Sequence, residues 1–125
     1  MFPQTYAVTI VTGSASGAGS GYTDNARGRV LSIRYVKDGT NGYSDGQTIT
    51  VTNEATGANI WTQTGVNASA TVAPRQPTHS LAGVASTYDG TRAVNDYCYL
   101  ANERVSIALT SAGNSKTGTF YVTVG

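Results

Sequence analysis

The run Arg29 to Lys37 confines this chain more than any other stretch. Leu31, Ile33 and Tyr35 fall on one side of an extended backbone, and Val30, Ser32, Arg34 and Val36 fall on the other. Such alternation reads as a β-strand with one face in a core. The same period returns in Thr5 to Thr12, where Tyr6, Val8 and Ile10 share a face, and in Gln47 to Thr52, with Ile49 and Val51 inward. It is densest near the end. Tyr97 and Tyr99 oppose Cys98 and Leu100, Val105, Ile107 and Leu109 line up inward, and so do Phe120, Val122 and Val124. Short strands joined by Gly, Asn and Asp turns predict an all-β chain, an antiparallel β-sandwich of jelly-roll-like form, in a single domain over residues 1–125.

Composition narrows the function classes. With 8 Lys+Arg against 7 Asp+Glu in 125 residues, the chain has no net field to hold a phosphate backbone or an anionic membrane, so neither nucleic acid nor membrane is an expected partner. No run approaches the roughly 18 apolar residues of a membrane span, and Met1 to Gln4 has no signal-peptide character, so the expectation is a chain that folds in the cytoplasm where it is made. One cysteine, Cys98, excludes an internal disulfide; a buried small hydrophobe is the favoured reading over a reactive thiol.

The tract Gly13 to Gly21 reads as a flexible, solvated link that cannot be core. It lacks the Gly-Lys-Ser/Thr of a phosphate loop, leads into a strand rather than a helix, and has Ala15 where a nucleophile elbow needs serine. Asp38 to Gly46 concentrates glycine, asparagine and aspartate as tight turns do. Asp38, Asn41 and Asp45 could ligate calcium, but Ile49 stands where a twelve-residue calcium loop needs its glutamate. Asn53 to Gly57 then turns the chain back into Ala58 to Gln63 as a hairpin. Within it Ile60 and Trp61 are adjacent, so they are expected on opposite faces, with Trp61 covered by a second layer or by a partner.

From Ala70 to Asn95 the period breaks. Pro74 and Pro77 forbid central pairing, which predicts an extended excursion away from the sheet. Leu81, Val84, Ala85 and Tyr88 follow at helical spacing, with Ser80 as N-cap and Asp89-Gly90 as stop, so one short helix is expected in this excursion. His79 is the sole histidine and has no second histidine for a metal pair or a triad. No catalytic, cofactor-binding or metal constellation emerges, and an enzyme is not expected. The residues suited to contact a partner are Trp61, Pro74, Arg75, Pro77, His79 and Tyr88.

Four pieces of the chain carry a resemblance. They are Gly28 to Gly39, Glu54 to Gly57 with Trp61, Asn67 to Arg75 with Thr78-His79, and Ala101 to Val105 with Lys116 to Phe120. Together they resemble a family of small tailed-bacteriophage proteins of about this length, encoded among virion assembly genes. The resemblance implies a virion structural protein made in the host bacterial cytoplasm, foremost a capsid cement or decoration protein. Its expected partners are the major capsid protein or other virion proteins, and further copies of itself in a homo-oligomer. A neck or tail component is the alternative within that class. A carbohydrate-binding sandwich using Tyr22, Tyr43, Trp61 or Tyr88 is the alternative outside it.

Neither the Asp38 to Gly46 turn nor His79 offers a full ligand set, so chelator should leave the melting temperature unchanged. A rise of several degrees with added calcium, read by differential scanning fluorimetry, would contradict this.

Overall fold

The alternating segments become ten strands in the computed structural model of the protein, which describes residues 3–13, 17–79, 81–87, 91 and 94–125. They are β1 (Gln4–Val11), β2 (Gly19–Tyr22), β3 (Ala26–Lys37), β4 (Thr48–Asn53), β5 (Asn59–Thr64), β6 (Ala70–Val72), β7 (Arg75–Pro77), β8 (Asn95–Glu103), β9 (Val105–Thr110) and β10 (Thr117–Val124). Six form one sheet in the order β1-β10-β3-β8-β7, with β6 also paired to β3; four form the other in the order β2-β9-β4-β5. Every pairing is antiparallel. Inward residues of both sheets, such as Ile33, Phe120 and Val122 from the first and Ile49, Val51 and Ile107 from the second, join a single buried cluster. The architecture is a β-sandwich.

β3 is the spine of the larger sheet. One edge pairs with β10; the other pairs with β8 over Ala26 to Val30 and with β6 over Ile33 to Tyr35. Its faces are not those that strict alternation predicts. Val30 is fully buried beside Ile33 and Tyr35, while Leu31 is only half-buried. The register of β10 against β3 slips there, with Thr123 opposite Ser32 but Val124 opposite Val30. Leu31 is the extra residue of a β-bulge, which resets the parity of the strand. A second bulge falls at Ile60, since Val51 opposes Trp61 but Thr52 opposes Asn59. It corrects the expectation that Ile60 and Trp61 face opposite ways: Ile60 is buried, and Trp61 is half-buried against the same core.

The glycine tract is corrected as well. Its last three residues open strand β2, paired with β9 from Gly19 opposite Leu109 to Tyr22 opposite Ser106. Here glycine serves close approach instead of freedom. A Cβ on Gly19 would stand 2.9 Å from Ile10 Cγ2, and one on Gly21 would stand 2.8 Å from Val8 Cγ1. The edge of the smaller sheet thus lies directly on the side chains of β1. Residues 14–16 of the tract lie outside the described residues.

The excursion does not leave the sheet, and no helix is seen among the described residues. β6 and β7 pair on either side of Pro74, and β7 is an edge strand, the position that tolerates proline. Beyond it, His79 bridges Ala85, Ser86 N–H donates to the Thr78 carbonyl, and Val94 N–H donates to the Ser86 carbonyl. These bonds fold the segment back as a loop. Leu81 is fully exposed and Val84 largely so, so the apolar side of the expected helix has no core within the chain to face. A helix of that length is below what nucleation sustains unaided, and Gly83, at φ +78°, sits inside it. Ser80, Tyr88, Asp89 and Gly90, the ends of that expected helix, lie outside the described residues.

An aromatic stack closes one end of the core. Tyr35 lies 5.1 Å from Phe120 and 5.8 Å from Tyr43, centroid to centroid. Tyr43 Oη donates to the Ile10 carbonyl at 2.6 Å, tying the loop after β3 to β1. Burial pushes both tyrosine phenols above their ordinary range; for Tyr43 the neighbouring Tyr35 adds to the rise.

Two predictions follow from this packing. Val8 is buried and stiff at χ1, so Gly21→Ala should cost about 1 to 3 kcal/mol, seen as a lower urea midpoint at unchanged slope. A variant as stable as the parent would mean that β2 does not press on β1. The second concerns alkali. The unfolded chain ionises its tyrosines near pH 10, before the folded one does, so the stability held by Tyr35 and Tyr43 is intact below that pH and lost above it. Melting temperature should fall as pH rises past about 10, and less steeply in Tyr43→Phe than in the parent.

Candidate interaction surface

Alternation that buries one face of the larger sheet turns the other outward, and that face is where chemistry collects. β3 presents Arg27 and Arg29 before its bulge, and Ser32 and Arg34 after it. β8 presents Tyr97 and Tyr99, and β10 presents Tyr121. The pairing sets Arg29 opposite Tyr99, Arg34 opposite Tyr121, and Arg75 opposite Tyr97. Guanidinium groups then lie over rings. Arg34 is 4.7 Å from the Tyr121 centroid, while Arg75 at 4.0 Å and Arg29 at 4.9 Å share Tyr97. Cation–π contact holds each guanidinium plane in place while leaving its N–H edges available.

The hydrogen bonding separates these arginines. Arg29 Nε donates to the Gly125 carbonyl at 3.2 Å, and Arg75 donates to the Pro74 carbonyl at 2.8 Å. The side chains of Arg27 and Arg34 make no hydrogen bond or ion pair among the described residues. The acidic side chain in contact with this group, among the described residues, is Asp96, which accepts from Tyr99 Oη at 3.3 Å. The Tyr99 phenol is pushed up, by desolvation first and then by that carboxylate. Four of the chain's eight basic residues are thus gathered on one face of a nearly neutral protein.

Arg34 also borders a shallow groove of about 410 Å³, whose other walls are Thr5, Ser32, Thr71, Tyr121 and Thr123. Apart from the guanidinium, every wall carries a hydroxyl. Thr5 and Thr123 bond to each other at 3.1 Å. The outer face of the smaller sheet contrasts with this, since Thr48, Thr50, Thr52 and Ser106 carry no charge. At that sheet's end Arg104 is committed, donating to both Glu54 oxygens at 2.9 and 3.0 Å while lying 4.3 Å from the Tyr22 centroid. Those hydrogen bonds hold the Glu54 carboxyl below its usual range and raise the Arg104 guanidinium.

The residues expected to meet a partner are only partly brought together. Arg75 stacks on Tyr97 and so joins the arginine face. Pro74 is buried, His79 is exposed at its bridge with Ala85, and Pro77 closes β7 opposite Asn95. Trp61 lies on the other sheet, its Nε1 donating to Gln63 Oε1 at 3.2 Å. Tyr88 is outside the described residues. The aromatic platform expected of a carbohydrate-binding module does not assemble from the residues named for it: Tyr43 is buried, Trp61 turns to the core and Tyr22 sits beneath Arg104. Cys98 is buried, and burial pushes its thiol up. Among the described residues no three of His, Cys, Asp and Glu converge on a common point. Sequence reasoning missed Arg29, Arg34, Tyr97, Tyr99 and Tyr121 as a group; the signal was their outward parity, but strand order was needed to make them neighbours.

No protein-family model and no curated protein matches this chain. Among solved structures, one described as the crystal structure of FLHE aligns over 99% of this chain and 98% of that one, at 10% identity and a TM-score of 0.45.

Proposed function

We propose that the chain is a bacteriophage virion structural protein, a capsid cement or decoration protein that stabilises the head through subunit–subunit contacts. The observation that supports it is the loop after β7, which holds Leu81 and Val84 in solvent next to a proline-flanked edge strand. Exposed large apolar side chains on a backbone pinned by its own hydrogen bonds suit a segment that seats against another subunit. The partner is the major capsid protein or another virion protein, a second copy of this chain included, and the place of action is the virion. A neck or tail position would use the same contact. A jelly-roll-like sandwich, a frame found in both capsid and lectin domains, suits this role. The second reading, a carbohydrate-binding module, draws on the hydroxyl-lined groove beside Arg34.

Two variants test the contact. Leu81→Asp and Arg75→Ala alter exposed side chains, so each should change folding stability by about 1 kcal/mol or less. Occupancy of purified particles, counted by quantitative mass spectrometry against the major capsid protein, should drop by about tenfold in Leu81→Asp. Absence of the parent chain from the particles, or full occupancy by Leu81→Asp, would overturn the proposal.

A further inference from the structure

The outer face of the larger sheet carries features that a protein contact at the Leu81 loop leaves unused. We infer that this face binds an acidic polysaccharide, with the carboxylate of a uronic-acid unit paired to Arg34 and its hydroxyls lodged in the adjoining groove. The inference rests on the carbohydrate-binding reading above and names the sugar class for it.

Three observations carry it. First, Arg34 has no acidic partner among the described residues, and its plane is held over Tyr121, 4.7 Å from the centroid. A stacked guanidinium with free N–H edges suits paired hydrogen bonds to a carboxylate. Second, the groove beside it is walled by the hydroxyl-bearing Thr5, Ser32, Thr71, Tyr121 and Thr123. Each hydroxyl can donate once and accept twice, so the mutual bond of Thr5 and Thr123 leaves capacity for a polyhydroxylated ligand. The groove crosses β1, β10, β3 and β6, three inter-strand spacings or roughly 14 Å, room for a short run of sugar rings. Third, Arg27 and Arg29 continue the basic track along β3, Arg29 with its Nε engaged by the Gly125 oxygen, and Asp96 is the acidic side chain in contact with the arginine–tyrosine group among the described residues. A polymer bearing a carboxylate on successive units can follow such a track.

Nucleic acid fits less well. Single-stranded nucleic acid is held by successive bases stacked on open aromatic faces, whereas guanidinium groups already lie over Tyr97 and Tyr121 and of the three rings Tyr99 alone is left uncovered among the described residues. An acidic protein surface would bring apolar anchors, for which the adjoining hollow at Val36 and Ala70 gives room, so polyglutamate is a comparator in the test.

The test uses the full chain and a fluorescent hexamer of galacturonate, read by anisotropy at about 150 mM salt. Its comparators are the same hexamer with carboxyls reduced to alcohols, a hexathymidylate and poly-L-glutamate. Saturable binding of the uronate hexamer is expected, about tenfold or more tighter than each comparator. Arg34→Ala should weaken it about tenfold, Arg34→Lys less, and Thr50→Ala on the opposite sheet not at all, with melting curves confirming that all three fold. Equal binding of the reduced hexamer would overturn the acidic-sugar inference and leave the carbohydrate reading standing. No binding of either hexamer would overturn both. Equal binding of hexathymidylate or polyglutamate, or an Arg34→Ala variant that binds like the parent, would overturn the inference alone.

Discussion

Everything in this sandwich depends on β3 being paired along both edges. Ten strands with three or four residues in several of them cannot each hold a register alone; β6 and β7 are short enough to need a template. The twelve residues of β3 supply it for β6 directly and for β7 through β8, with β10 on one side and β8 and β6 in succession on the other. Tyr35, near the end of this strand, then anchors the aromatic stack that draws the Tyr43 loop over Phe120. Position in the sheet, inward packing and loop closure all trace back to one backbone.

That backbone also explains how a nearly neutral chain acquires a polarised surface. Charges on opposite faces of a strand cancel in composition but not in space. Arg27, Arg29 and Arg34 leave β3 on the outer side, and the register brings Tyr97, Tyr99 and Tyr121 beside them. Asp96 touches this face through Tyr99, while both glutamates lie elsewhere. Glu54 is bound to Arg104, and Glu103 accepts from the Ala101 N–H and from Asn53, which lowers its carboxyl pKa. The smaller sheet meanwhile shows solvent a neutral surface of serine and threonine.

Periodicity made most strands legible, because burial on one face leaves a period-2 trace that needs no knowledge of partners. It located the inward sets Val8 and Ile10, Ile49 and Val51, and Phe120 with Val122 and Val124. It failed where local chemistry depends on a neighbour. Gly19 and Gly21 look like a linker until the side chains of Val8 and Ile10 are seen pressing on them. Leu31 and Ile60 follow the alternation in sequence, and only the opposing strand reveals a bulge. The helical spacing of Leu81, Val84 and Ala85 was real, but spacing alone cannot supply a surface to pack against. The arginine face was hidden for the same reason, since its members are distant in the chain and meet through strand order.

The bulge at Leu31 makes β3 one residue longer than its pairing requires. Val30 points inward, Ser32 outward and Ile33 inward, so without Leu31 the three would follow a plain alternation. Here the strand can shorten by one residue and keep Arg34 in solvent and Tyr35 in the core. A gap of one residue in related chains has a natural place at this point, whereas the same gap between Ile33 and Val36 would exchange interior and exterior along the rest of the strand.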